Sequence, residues 1–110
     1  MPTKQAMEML LTGGFIDAAE ARARGLVNRV VAAPDLLTAA RQLAGAVVAS
    51  APLSVAAILD IGRRTAHTDP IEAMRAIKSF ESYRRAVDSE DAQEGSLSFA
   101  EKRSPVWKGR

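Results

Sequence analysis

This chain has no cysteine and a single histidine, His67, among 110 residues. With no thiol there is no disulfide, no thiolate metal site and no cysteine nucleophile. With one histidine there is no histidine cluster. Aromatic residues are scarce: three Phe, one Trp and one Tyr. No apolar run approaches the ~18 residues that a membrane span needs. No charged segment followed by an apolar stretch comes after Met1, so the cytoplasm is the expected location. Charge of one sign is also lacking. Fifteen Lys and Arg face thirteen Asp and Glu, for a net charge of +2, and the cations are interleaved with acids along helical stretches. A pI near 9.4 therefore does not make this a nucleic-acid binder.

Apolar residues make up 47% of the chain, which excludes a disordered composition. Much of that share is alanine. Alanine buries little area, so each helix contributes little hydrophobic stabilisation and calls for a partner surface. The length suits one small domain.

Helical periodicity dominates. Residues 3–11 read as a short helix with Ala6, Met7, Leu10 and Leu11 on one face, and with Met7, Met9, Leu10 and Leu11 as core. Gly13-Gly14 ends it as a turn. Asp17 and Glu20 form a capping box for a second short helix, with Gly25 at its C′ position. Leu26-Val27-Asn28-Arg29-Val30-Val31 is β-branched and reads as a short strand, one without an obvious neighbour to pair with. Beyond Pro34 the apolar stripe Leu36, Leu37, Ala40, Leu43, Ala44, Val47, Val48 marks a longer helix. Ser50-Ala51-Pro52 breaks it and starts another, with Val55, Ile58 and Leu59 in register. Asp69 caps and Pro70 opens a further helix, in which Ile71, Met74, Ile77, Phe80, Arg84 and Val87 follow at helical spacing. The expected division is 1–34, two short helices and a strand, and 35–110, a helical region.

The last segment carries the most chemistry. Ser89 is a good N-cap, and Glu90, Asp91 and Glu94 sit where a helix N-terminus favours negative charge. Lys102 and Arg103 suit the last turn, and Pro105 stops the helix. Phe99 and Lys102 are three apart, hence neighbours on one helical face. A flat ring beside an ammonium suits a purine bearing a phosphate, although core packing for Phe99 and dipole complementation for Lys102 explain the same spacing. Acid–base chemistry needs positioned titratable pairs. Glu8, Glu20, Glu94 and Glu101 are the candidates, and each has a simpler task in capping, dipole complementation or solvation. His67 reads as an exposed residue at a helix end. No catalytic residue and no metal site is expected.

The order of residues is more specific than their spacing. Ala6-Met7-Glu8-Met9-Leu10-Leu11-Thr12-Gly13, Asp17-Ala18 with Glu20-Ala21, and Gly25-Leu26-Val27-Asn28-Arg29-Val30-Val31 resemble the enoyl-CoA hydratase (crotonase) superfamily just after its catalytic core. Ala49-Ser50-Ala51-Pro52, Ser89-Glu90-Asp91 with Glu94-Gly95, and Phe99 with Glu101-Lys102-Arg103 and Pro105-Val106-Trp107 belong to the same pattern. The resemblance covers essentially the whole chain. It implies the mainly α C-terminal region of a crotonase fold with one short strand, in a family whose members are more than twice this length. Such enzymes hydrate or dehydrate an enoyl-CoA thioester. The carbonyl becomes an enolate held by two backbone donors while glutamates move water and protons. Those glutamates lie upstream of the matched region. Coenzyme A enters as part of the substrate, with no separate cofactor. The resemblance further implies self-association as trimers or hexamers, and contact of Phe99 and Lys102 with the CoA adenine and phosphate. Neither nucleic acid nor membrane is implied as a partner. Many relatives carry a lysine in the helix after the Ala-Pro break; here Leu59-Asp60 occupies that neighbourhood and Arg63-Arg64 follow.

Overall fold

The structure, a computed structural model, describes all residues 1–110. The chain forms seven α-helices and no strand, and it divides into two compact units, Met1–Arg41 and Gln42–Arg110. No single helix is long and apolar enough to cross a membrane.

The first unit contains α1 (Thr3–Thr12), α2 (Ala18–Ala23), a short 3-10 turn at Ala33–Asp35 and the start of α3 (Leu36–Val48). Gly13 ends α1 at φ 65°, and its N–H donates to the Met9 carbonyl at 2.9 Å. The left-handed conformation there and at Gly25 (φ 71°), just past α2, is what glycine tolerates without a Cβ clash. Asp17 caps α2 by accepting the Glu20 N–H at 2.7 Å. The Glu20 carboxylate does not complete the box; it pairs with Arg24 one turn on.

The expected strand is absent. Leu26–Val31 forms no ladder, and Leu26, Val27, Val30 and Val31 are exposed. A β-branched run favours extended backbone, but a strand forms only when a neighbour takes its N–H and C=O groups, and none is supplied. The same lack of cover corrects the expected core of α1. Leu10 and Leu11 are 78% and 79% exposed and Met7 is 47% exposed, because nothing in this unit packs over that face.

The second unit holds the rest of α3, α4 (Pro52–Thr65), α5 (Pro70–Ile77), α6 (Glu81–Val87) and α7 (Glu90–Ala100). Pro52 opens α4 at N1, and Asp69 caps α5 through the Ile71 and Glu72 N–H groups. The continuous helix expected across 71–87 is in fact two. Ser79 Oγ donates to the Ala76 carbonyl at 2.6 Å and Phe80 is extended, so the backbone leaves the helix and restarts at Glu81. The apolar period survives this break only because three non-helical residues happen to preserve it. A serine that satisfies a nearby carbonyl is a known competitor of helical bonding.

The main packing is α4 against α6, with Ala57 and Ala86 buried. Small residues let two helices approach closely but remove little apolar surface from water. Polar links supplement them. Ser82 Oγ donates to Asp60 Oδ2 at 2.6 Å, and Arg64 Nε donates to Asp60 Oδ1 at 2.8 Å. The Arg64 guanidinium also stands 5.1 Å from the Phe80 ring centroid. The bonds from Arg64, then Ser82, hold the Asp60 carboxyl below its ordinary value. Asp60 thus ties α6 to α4.

Candidate functional site

The site region is α7 and the segment that follows it. Ser89 caps α7, accepting the Ala92 N–H at 3.1 Å while its hydroxyl donates to the Ala86 carbonyl at 2.7 Å. The helix then ends earlier than Pro105. Glu101 is the C-cap, and Lys102 takes φ 54°, the one non-glycine residue with positive φ in the chain. The Lys102 N–H donates to the Phe99 carbonyl (3.2 Å) and the Arg103 N–H to the Ser98 carbonyl (3.1 Å). This nested pair defines a Schellman turn, which ordinarily places glycine where Lys102 stands. Lys102 and Arg103 therefore lie beyond the helix rather than in its last turn. The expectation that Phe99 and Lys102 share a helical face is replaced by a backbone link across the turn.

Phe99 is 87% exposed, and Lys102 is exposed with no ion-pair partner. Both side chains are thus accessible, one on the last turn of α7 and the other immediately past it.

Residues 105–110 fold back along α7 as a strap. Asp91, 2% exposed, accepts the Lys108 N–H at 2.7 Å with one carboxylate oxygen and the Gly109 N–H at 2.8 Å with the other. The Trp107 indole donates to the Ala49 carbonyl at 2.8 Å, and Lys108 Nζ donates to Glu90 at 2.8 Å. That bond holds the Glu90 carboxyl below its usual range.

Glu94 joins the strap to the turn. Its carboxylate accepts both terminal nitrogens of Arg103, one at 2.8 Å, and also the Val106 N–H at 2.8 Å. Arg103 Nε donates in turn to Glu101, and Nη1 to the Ser104 carbonyl. The Arg103 bonds, then the Val106 N–H, hold Glu94 down at about 2. A carboxyl so fully engaged as an acceptor is unsuited to proton transfer near neutrality. Glu20 and Glu101 are also paired with arginines. His67 is exposed, and no cluster of metal-ligating side chains occurs.

The groove between α7 and the strap is lined by Glu90, Asp91, Glu94, Leu97, Arg103 and Lys108, among others, and excludes Phe99 and Lys102. Its charges already satisfy one another, so it offers no free cation for a phosphate. Sequence reasoning placed Asp91 and Glu94 at the positive end of the helix dipole and named Glu94 as an acid–base candidate, but it gave neither a tertiary partner. Their tertiary partners, 9 to 18 residues away, follow from the Schellman turn, which no local glycine announces.

The enoyl-CoA hydratase/isomerase family profile matches residues 1–110, the full chain. The chain belongs to that family. It is 46% identical over 112 aligned residues to carnitinyl-CoA dehydratase of Proteus mirabilis (strain HI4320), covering 100% of this chain and 43% of that protein. It is 47% identical to carnitinyl-CoA dehydratase of Escherichia coli (strain K12), with the same coverage. The chain thus spans less than half the length of these relatives. Among solved structures, it superposes on an enoyl-CoA hydratase from Mycobacterium tuberculosis H37Rv with a TM-score of 0.88 at 34% identity, covering 100% of this chain and 43% of that one. An enoyl-CoA hydratase/isomerase from Mycobacterium paratuberculosis gives 0.89 at 29%, again covering 100% and 43%. The mainly α crotonase-type region expected from the residue order is therefore the fold observed, without its strand.

Proposed function

We propose that this chain is the helical, CoA-covering and assembly part of a crotonase-type enzyme that hydrates or dehydrates an enoyl-CoA thioester. The names of the relatives favour a carnitinyl-CoA thioester. The observation that carries this reading is the exposed Phe99 ring one turn from the unpaired Lys102 ammonium, a pair suited to an adenine and a phosphate. Coenzyme A would be part of the substrate, and no separate cofactor is required. The residues of this chain supply grip rather than acid–base chemistry, because Glu20, Glu94 and Glu101 are committed to arginines.

The exposed stripes support an assembly role. Leu36, Leu37 and Val48 on α3 are exposed, and Val47 of α3 with Ile58 and Leu59 of α4 lines one apolar groove in the second unit, the kind of surface that associating chains cover. Association into trimers or hexamers would cover it.

Two measurements test the reading. The purified 110-residue chain should show no turnover of crotonyl-CoA in an absorbance assay; detectable hydration would overturn the assignment of the chemistry to other residues. Sedimentation should show self-association, and a compact cooperative monomer would sink the assembly role.

A further inference from the structure

The left-handed Lys102 is the strained point of the molecule, and the groups around it hold it there. For an L-residue with a Cβ, this region is disfavoured, and single residues found in it tend to cluster at ligand clamps. Glycine at this position would close the same Schellman turn without strain. The turn carries lysine instead, and its side chain makes no bond that would stabilise the conformation locally. The neighbouring residue supplies the restraint. The Arg103 guanidinium is held by both oxygens of Glu94, by Glu101 and by the Ser104 carbonyl, while Glu94 also fastens the strap through the Val106 N–H.

We propose that Glu94 and Arg103 are positioning residues that fix the left-handed turn and so aim the Lys102 ammonium at a phosphate of the bound nucleotide. This rests on the reading of Phe99 and Lys102 as a CoA-contacting pair and adds what sets their geometry. Phe99 lies within the helix proper, so the adenine platform survives if the turn relaxes, whereas the ammonium does not stay aimed. A bidentate arginine fork fixes direction as well as charge, which a lysine in its place would not.

The test is a titration of the full chain, followed by NMR, with coenzyme A and with adenosine as probes. Lys102→Ala should lower affinity for coenzyme A by roughly threefold to fivefold, the range of an exposed charge contact. Glu94→Gln and Arg103→Lys should lower it in the same direction with Lys102 still present. In all three the ratio of coenzyme A to adenosine affinity should fall, because adenosine carries no phosphate. Lys102→Gly should weaken coenzyme A binding without lowering the melting temperature, because glycine relieves the turn. If Glu94→Gln and Arg103→Lys keep the wild-type ratio while Lys102→Ala lowers it, the positioning role is refuted and the site stands. If the variants lower both affinities together, the effect is only structural and the positioning role is refuted. If the wild-type chain binds no coenzyme A, the site reading falls and the inference with it.

Discussion

Removing the Asp91 carboxylate should release the strap while leaving α7 formed. Asp91 is almost fully buried and accepts two backbone N–H groups, from Lys108 and Gly109, with separate oxygens at 2.7 and 2.8 Å. Asp91→Ala orphans both donors. A buried unpaired donor costs about 1–3 kcal/mol, and two together up to ~6. Lys108 is exposed and Gly109 half-buried, so water reaches the freed groups and the lower part of the range applies, about 2–3 kcal/mol in all. Asp91→Asn keeps one acceptor and turns an amide donor toward the other N–H, so it should cost more than half as much. Amide hydrogen exchange reads the effect locally, with no need for global two-state unfolding. At tenfold per 1.4 kcal/mol, exchange of the Lys108 and Gly109 amides should accelerate roughly thirtyfold to hundredfold in Asp91→Ala, while the central amides of α7 change little. The reasoning is refuted if these two amides exchange in the wild type as fast as unprotected ones, or if Asp91→Ala leaves their rates unchanged.

Three further outcomes follow from the same region. Gly95→Ala should stabilise the chain by about 0.5–1 kcal/mol, the helix-propensity gain, because an added Cβ would meet the Trp107 ring at 3.5 Å, an ordinary contact; a lower thermal midpoint would show that the ring cannot accept it. Ser89→Ala should cost about 1 kcal/mol as a lost N-cap, read by urea titration, and no change in midpoint would contradict the cap. The Glu94 carboxyl is held at about 2 in the folded chain against an ordinary 4.5, chiefly by Arg103 and then by the Val106 N–H. Its contribution is therefore fully present above pH 4.5 and is lost as pH falls toward 2. Stability of Glu94→Gln should vary less with pH in that window, and an identical profile would show the bonds to be absent in solution.

Much of the local structure was legible because its causes are local. Asp17, Asp69 and Ser89 cap because a short acceptor side chain reaches N–H groups two or three residues ahead, and Pro52 and Pro70 start helices for reasons contained in their own rings. The break at Ser79-Phe80 was hidden because apolar period reports a face and not the backbone that carries it. The strand at 26–31 failed for the complementary reason: strand propensity is a disposition that a neighbouring edge must fulfil. Exposure of Leu10 and Leu11 was illegible for the same cause, since a stripe marks what wants covering and says nothing of the cover. Within the candidate site, Phe99 and Lys102 were legible as types, but the left-handed turn between helix and strap was not. Beside the lysine at this Schellman position, Arg103 reaches Glu94 nine residues back, and no short-range rule places that pair there.

The bond from the Trp107 indole to the Ala49 carbonyl spans 58 positions. It closes most of the second unit into a ring fastened without a covalent link. Because the entropy of closing such a ring rises only with the logarithm of its length, one well-made clasp constrains a long stretch of helices at modest extra cost. The residues beside it are tied down in turn, Lys108 and Gly109 by the Asp91 carboxylate, so a change that removed 107–109 would open the clasp and free the helices it spans.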